Sequence, residues 1–151
     1  MSDTKTQAPE RILIRRKFAA PRARVFAAWT RPEEMCKWAG PNDVSVPEMQ
    51  SDLRVGGKYR ITMQMTDGER WAVGGVFKEV RAPERLSYTW RWEEDSPADE
   101  IETLITVEFH DLGQETELVF THEKFASQES RDGHEGGWNS ALDKLGDYLA
   151  A

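Results

Sequence analysis

The sequence predicts an α+β domain in which one antiparallel sheet curls around a single long C-terminal helix. Three observations lead there. Apolar and polar residues alternate with a period of two from Val44 to Lys124, an apolar stripe at helical spacing closes the chain, and the connections are too short for parallel strands. Arg11 to Phe18 reads as the first strand, with Arg and Lys on its outer face. Pro21 then suits the start of a helix carrying Val25, Phe26 and Trp29, and Pro32 starts a second short helix through Met35 and Trp38. Ala39 to Asp43 is turn chemistry.

The strands follow by parity. Tyr59, Ile61, Met63 and Met65 alternate with Lys58, Arg60, Thr62 and Gln64, which describes a half-buried strand. Trp71, Val73 and Phe77 share one face of the next. Tyr88, Trp90 and Trp92 form a third set, Ile101, Thr103, Ile105, Val107 and Phe109 a fourth, and Leu118, Phe120 and His122 a fifth. A four-residue loop from Asp111 to Gln114 would set Ile105 against Phe120 and Thr103 against His122. A three-residue connection from Asp67 to Glu69, with Gly68 left-handed, keeps Trp71 on the same face as Met65. Gly56-Gly57 and Gly74-Gly75 fall where a bent sheet needs missing side chains. The run EEDSPADE, Glu93 to Glu100, reads as a solvated loop.

Ser127 suits the N-cap of the last helix. Trp138, Ala141, Leu142, Leu145, Tyr148 and Leu149 make its buried stripe, while Asn139, Asp143, Lys144 and Asp147 point away. Gly133, Gly136, Gly137 and Gly146 each cost this helix about 1 kcal/mol relative to alanine. The pair at 136 and 137 is expected to permit close approach to the sheet or a kink. One helix cannot cover so many strands if the sheet stays flat, so the sheet must curl, and the space left over becomes a pocket.

Composition narrows the partners. The chain has 151 residues, 38% hydrophobic, with six Trp, six Phe and three Tyr, which supplies the apolar area of a folded core. Its formal net charge of −7 speaks against nucleic acid, whose phosphates call for clustered cations. No apolar run approaches the length of a membrane span, so no membrane insertion is expected. Cys36 is the single cysteine, so no intrachain disulfide can form and a cytoplasmic location is expected. Met1 to Glu10 is a polar tail without a secretory signal, and residues 11–151 are expected to make one domain.

Three stretches carry a family resemblance: Trp38-Ala39-Gly40-Pro41, Asp52 to Tyr59 (DLRVGGKY), and Pro83 to Trp90 (PERLSYTW). With His134, Gly137, Trp138, Leu142, Leu145 and Tyr148-Leu149, they resemble the START-like (SRPBCC) superfamily. Within it, the likeness is to proteins akin to the C-terminal domain of the activator of the Hsp90 ATPase. The resemblance implies a helix-grip fold (β-α-α-β6-α) with a cavity between sheet and last helix. The superfamily includes lipid carriers, hormone receptors, polyketide cyclases and co-chaperone domains, so fold alone does not choose among functions.

The chemistry-bearing residues are few. His110 and His122 lie at opposite ends of one predicted hairpin, and His134 has no second histidine at zinc-helix spacing, so no metal is expected. The sequence has no nucleophile elbow, P-loop or dinucleotide fingerprint, and no cofactor is expected. Gly56-Gly57-Lys58 precedes a strand, which marks a bend, not a phosphate cradle. Cys36 has no evident base and reads as a structural thiol.

His122 stands on the predicted concave face, either as a satisfied core histidine or as a polar anchor in the cavity. Around it the expected ligand cavity takes Trp38, Tyr59, Met63, Trp71 and Trp90. Thr103, Ile105, Phe120, Trp138 and Leu142 complete its lining. The first functional expectation is binding of a small apolar or amphipathic molecule. The second is a cyclase or hydrolase with His122, Thr103 or Tyr59 as acid–base groups. The third, implied by the resemblance alone, is a co-chaperone for an Hsp90-type chaperone or a stress-response protein. A homodimer stays open beside the monomer.

Overall fold

A computed structural model describes residues 10–93 and 102–150 of the chain. Nearly all of the polar tail, the acidic run beyond Glu93, and Ile101 lie outside the described residues.

The order of elements is β1 (Ile12–Phe18), α1 (Arg22–Thr30), α2 (Pro32–Trp38), β2 (Ser45–Ser51), β3 (Lys58–Gln64), β4 (Arg70–Arg81), β5 (Arg85–Trp92), β6 (Thr103–Leu112), β7 (Glu115–Glu123) and α3 (Gln128–Ala150). One seven-stranded antiparallel sheet runs β1-β7-β6-β5-β4-β3-β2. It curves into a half-barrel with α3 against its concave side. This is the helix-grip architecture the alternation and the closing helix predict.

Local chemistry sets the element ends. Pro21 precedes α1 in an extended conformation, and Pro32 opens α2, where its missing N–H leaves no bond unmade. Ser127 caps α3, its Oγ accepting from Ser130 N–H at 3.1 Å. Thr103, Ile105, Val107 and Phe109 of β6 point to the core while their neighbours are half-buried, the mark of a sheet with one wet face.

Two predicted turns are corrected, both by two residues. Leu112 pairs with Glu115, so the β6–β7 connection is the two-residue turn Gly113-Gln114, with Gly113 at φ 80°. Ile105 therefore faces His122, and Val107 faces Phe120. At the other hairpin Met63 pairs with Trp71, and Gly68 is left-handed at φ 91° as expected. A slip of two residues leaves every side chain on its predicted face, which is why the core was legible even where the turn length was not.

The bend rests on absent side chains. A Cβ on Gly75 would stand 2.1 Å from Thr89 O, and one on Gly57 2.0 Å from Asp52 O. Opposite Gly75, Tyr59 reaches across to donate its hydroxyl to Thr89 O at 2.6 Å, and Val76 N–H donates to Thr89 Oγ1 at 2.9 Å. The α3 glycines behave differently. A Cβ on Gly136 would meet nothing within 4 Å, and one on Gly137 only Pro41 Cγ at 3.7 Å. Close approach does not explain that pair.

The core lies between the concave face and the helices. Trp29, Trp38, Phe109, Phe120, Leu142 and Leu145 are fully buried in it. Trp29 stacks on Trp138, with ring centroids 6.4 Å apart, which joins α1 to α3. Lys144, expected to point away, is half-buried instead. Its ammonium donates to the carbonyls of Gly40, Pro41 and Val44 at 2.9, 3.1 and 3.3 Å, tying α3 to the loop after α2. Its long stem allows a helix position off the apolar stripe to serve as a strap.

Candidate functional site

Between α3 and the β3–β5 half of the sheet lies a cavity of about 620 Å³. Its inner wall is made of buried Trp38, Ile61, Met63, Tyr88, Trp90, Trp138 and Ala141. Half-buried Met65, Trp71 and Trp92 line it farther out, with exposed Glu129 and Gly133 on the α3 side. The loop after α2 closes another side through Gly40, Pro41 and Val44, held by Lys144.

The helix creates this space by what it lacks. Ser130, Gly133, Gly137 and Ala141 recur at helical spacing on the face of α3 that borders the cavity. Small residues there leave the volume that leucines would fill. Among the described lining residues Glu129 is the one with a formal charge at neutral pH, and none is Lys or Arg.

Five of the residues expected at the cavity line it: Trp38, Met63, Trp71, Trp90 and Trp138. Tyr59, Thr103, Ile105, Phe120, His122 and Leu142 are placed elsewhere on the same concave side, deeper in the packed core. On β7, Phe120 packs against Trp29 of α1 and Trp138 of α3, and His122 bonds to Trp138, so no open space remains above them. Parity identifies the face, not the depth of open space above it. Lining residues that the sequence did not single out for the site include Met35, Pro41, Val44, Met65, Tyr88, Trp92 and His134. The stripe of small residues along α3 marks where space remains, although in sequence it reads as a weak helix.

His122 is fully buried in a directed chain of hydrogen bonds. Trp138 Nε1–H donates to His122 Nδ1 at 3.1 Å, so the ring proton resides on Nε2. Nε2 lies 2.7 Å from Thr103 Oγ1, which in turn donates to Trp90 O at 2.9 Å. Thr103 reaches His122 diagonally across the strands, since the Cα partner of His122 is Ile105, two residues along β6. Each donor in the chain has its acceptor. Burial, with His134 nearby, pushes the His122 pKa down to about 2, so the ring is neutral.

The other proposed acid–base groups are similarly engaged. Tyr59 spends its proton on Thr89 O, and burial holds its hydroxyl well above the usual phenol range, with Tyr88 adding to the shift. Thr103 is committed to His122 and Trp90. Cys36 is half-buried, and burial followed by Glu33 and Glu48 raises its pKa, which favours the thiol over the thiolate. Of the histidines, His134 alone borders the cavity. Its Nε2 accepts from Trp92 Nε1–H at 2.9 Å, and its Nδ1 lies 2.8 Å from Ser130 O. Among the described residues, no group of three His, Cys, Asp or Glu side chains converges as metal ligands would. No helix among them is long and apolar enough to cross a membrane.

The comparisons with known proteins agree with this architecture. The family described as Activator of Hsp90 ATPase homolog 1-like protein matches residues 19–150. No curated protein matches the chain. Among solved structures, the AHSA1 protein of Silicibacter pomeroyi is 28% identical, superimposes with a TM-score of 0.82, and covers 93% of this chain and 98% of its own. Protein CV1439 from Chromobacterium violaceum is 25% identical with a TM-score of 0.81, covering 93% of this chain and 97% of its own. An Arthrobacter aurescens protein is 26% identical with a TM-score of 0.80, covering 93% of this chain and 86% of its own. With its family match, its curved sheet and its gripped C-terminal helix, the chain belongs to the Activator of Hsp90 ATPase homolog 1-like family, within the START-like superfamily.

Proposed function

We propose that this protein binds a small hydrophobic or amphipathic molecule in the cavity between its sheet and α3. The observation that carries the reading is the cavity's volume of about 620 Å³, lined mostly by apolar and aromatic side chains. That size lies within the usual range of small-molecule sites, roughly 300–1,000 Å³. Aromatic and methionine side chains suit such a role, giving large contact area and, for Met35, Met63 and Met65, a surface that adapts to shape.

The enzyme alternative has less support. His122 is satisfied by Trp138 and Thr103, Thr103 by His122 and Trp90 O, and Tyr59 by Thr89 O, and none of the three borders the cavity. The co-chaperone reading rests on the family's name. Native mass spectrometry of freshly purified protein tests the binding reading. The expected result is an added mass on the order of a few hundred daltons, lost on denaturation, as suits a ligand of this cavity's size. A protein of bare chain mass that also takes up no neutral aromatic compound would count against it.

A further inference from the structure

The wall of the cavity is rich in indole rings and poor in donors. Trp38, Trp71, Trp90, Trp92 and Trp138 line it. Three of them give their ring N–H to the protein: Trp38 to Ala28 O at 2.9 Å, Trp92 to His134 Nε2 at 2.9 Å and Trp138 to His122 Nδ1 at 3.1 Å. Trp90 Nε1 is closed off from any neighbouring space. These four rings therefore offer a guest carbon and π-surface, not hydrogen bonds. Farther out, Trp92 stands at right angles to both its neighbours, 6.3 Å from Trp71 at 90° and 5.8 Å from Trp90 at 89°. Such a corner suits a compact, branched head, and the electron-rich face of an indole attracts a cation.

Charge points the same way. No Lys or Arg is among the described lining residues, and His134 accepts at Nε2, so it adds no positive charge. Glu129 supplies the one formal charge. It is exposed, sits in the first turn of α3, and makes no hydrogen bond or ion pair among the described residues. There its carboxylate also offsets the helix dipole, so the start of α3 does not draw an anion. Arg131, two residues on, is held by Asp132 at 2.9 Å and Glu135 at 2.7 Å. The indole corner lies close to Glu129, because Trp92 bonds to His134, five residues or about 7.5 Å farther along the helix axis. We infer that the ligand of this cavity is a hydrophobic cation, with its apolar body among the indoles and methionines and its positive head between Glu129 and the Trp71–Trp92 corner. The inference rests on the cavity being a ligand site, and it adds the sign and kind of the ligand's charge. A quaternary or delocalised cation fits better than a primary ammonium, which would need several acceptors to replace its water.

The test uses three compounds of one shape: trimethyl(2-naphthyl)ammonium, the neutral 2-tert-butylnaphthalene and 2-naphthalenesulfonate. Titrations follow tryptophan fluorescence or heat. The ammonium compound is expected to bind about tenfold more tightly than the sulfonate. Glu129→Gln should lower the ratio of ammonium to hydrocarbon affinity about threefold. Asp147→Asn makes the same change of charge at an exposed position near the other end of α3, and should leave that ratio unaltered. Gly137→Phe, which places a ring in the cavity, should abolish ammonium binding. Sulfonate binding as tight as that of the ammonium compound, or equal effects of the Glu129 and Asp147 variants, would overturn the cationic class. The cavity reading would then stand as long as the hydrocarbon binds. Ammonium binding that survives in Gly137→Phe would place the cation on the acidic surface and overturn the inference. Failure of all three compounds to bind would overturn the cavity reading and this inference with it.

Discussion

Gly75→Ala is expected to destabilise the protein by about 3 kcal/mol or more, an unusually large effect for the addition of one methyl group. The new Cβ would stand 2.1 Å from Thr89 O and 2.5 Å from Thr89 Oγ1, so β4 and β5 would have to separate. Separation breaks two bonds at once, from Tyr59 Oη to Thr89 O and from Val76 N–H to Thr89 Oγ1. Trp90 follows Thr89 in the chain, so the cavity wall should shift as well. The matching control is Gly136→Ala, where a Cβ meets nothing within 4 Å. That change should stabilise α3 by up to about 1 kcal/mol through helix propensity. Urea denaturation of the two variants beside the unaltered protein checks both signs. If Gly75→Ala unfolds at the same midpoint as the parent, close approach of β5 is not what position 75 provides.

Acid should weaken the fold well before the carboxylates titrate, and His122 should be the reason. Its pKa is held at about 2 in the folded protein against an ordinary value of 6.5. The unfolded chain therefore takes up a proton below pH 6.5 that the folded chain refuses, and stability falls as the pH falls. The slope is about 1.4 kcal/mol per pH unit, so roughly 2 kcal/mol is lost between pH 6.5 and pH 5. Full stability from this group is present above pH 6.5. His122→Asn removes the titration, and its side-chain oxygen can still accept from Trp138. That variant should be less stable at pH 7, because Thr103 loses its partner, yet show a flatter profile over the same window. Urea midpoints at pH 7, 6 and 5 for both proteins measure the difference. Parallel profiles would show that His122 protonates in the native state.

The face each residue occupies was readable in the sequence, because period-two alternation in β3, β5, β6 and β7 records which side chains meet the core. Register was less readable. Asp111 and Gln114 look like loop residues, yet Asp111 pairs with Thr116 within the ladder, and only Gly113 and Gln114 make the turn. Polar residues at the end of an exposed hairpin pair as readily as they loop, so composition does not mark the last rung.

The site was legible in part for a related reason. Met63, Trp71 and Trp90 could be assigned to the concave face, but Tyr59, Ile105, Phe120 and Leu142 share that side and are packed into the core. Whether such a side chain borders empty space depends on what the helix presents opposite it. Ser130, Gly133, Gly137 and Ala141 make that choice, and a stripe of small residues looks in sequence like a weak helix, not like the wall of a cavity. His122 drew attention as the polar residue on an apolar face, and its directed bonds to Trp138 and Thr103 explain its presence there without a ligand.

The central claim is that the space beneath α3 accepts a small apolar molecule. It is tested most directly by titrating the protein with the neutral fluorophore N-phenyl-1-naphthylamine, with Gly137→Phe alongside. A Cβ at position 137 meets only Pro41 Cγ, at 3.7 Å, so the backbone tolerates the change while the added ring occupies the cavity. Saturable enhancement of the dye's emission by the unaltered protein, abolished in a Gly137→Phe variant that unfolds no earlier, is the predicted result. Equal enhancement by both proteins, or none by either, would contradict the account.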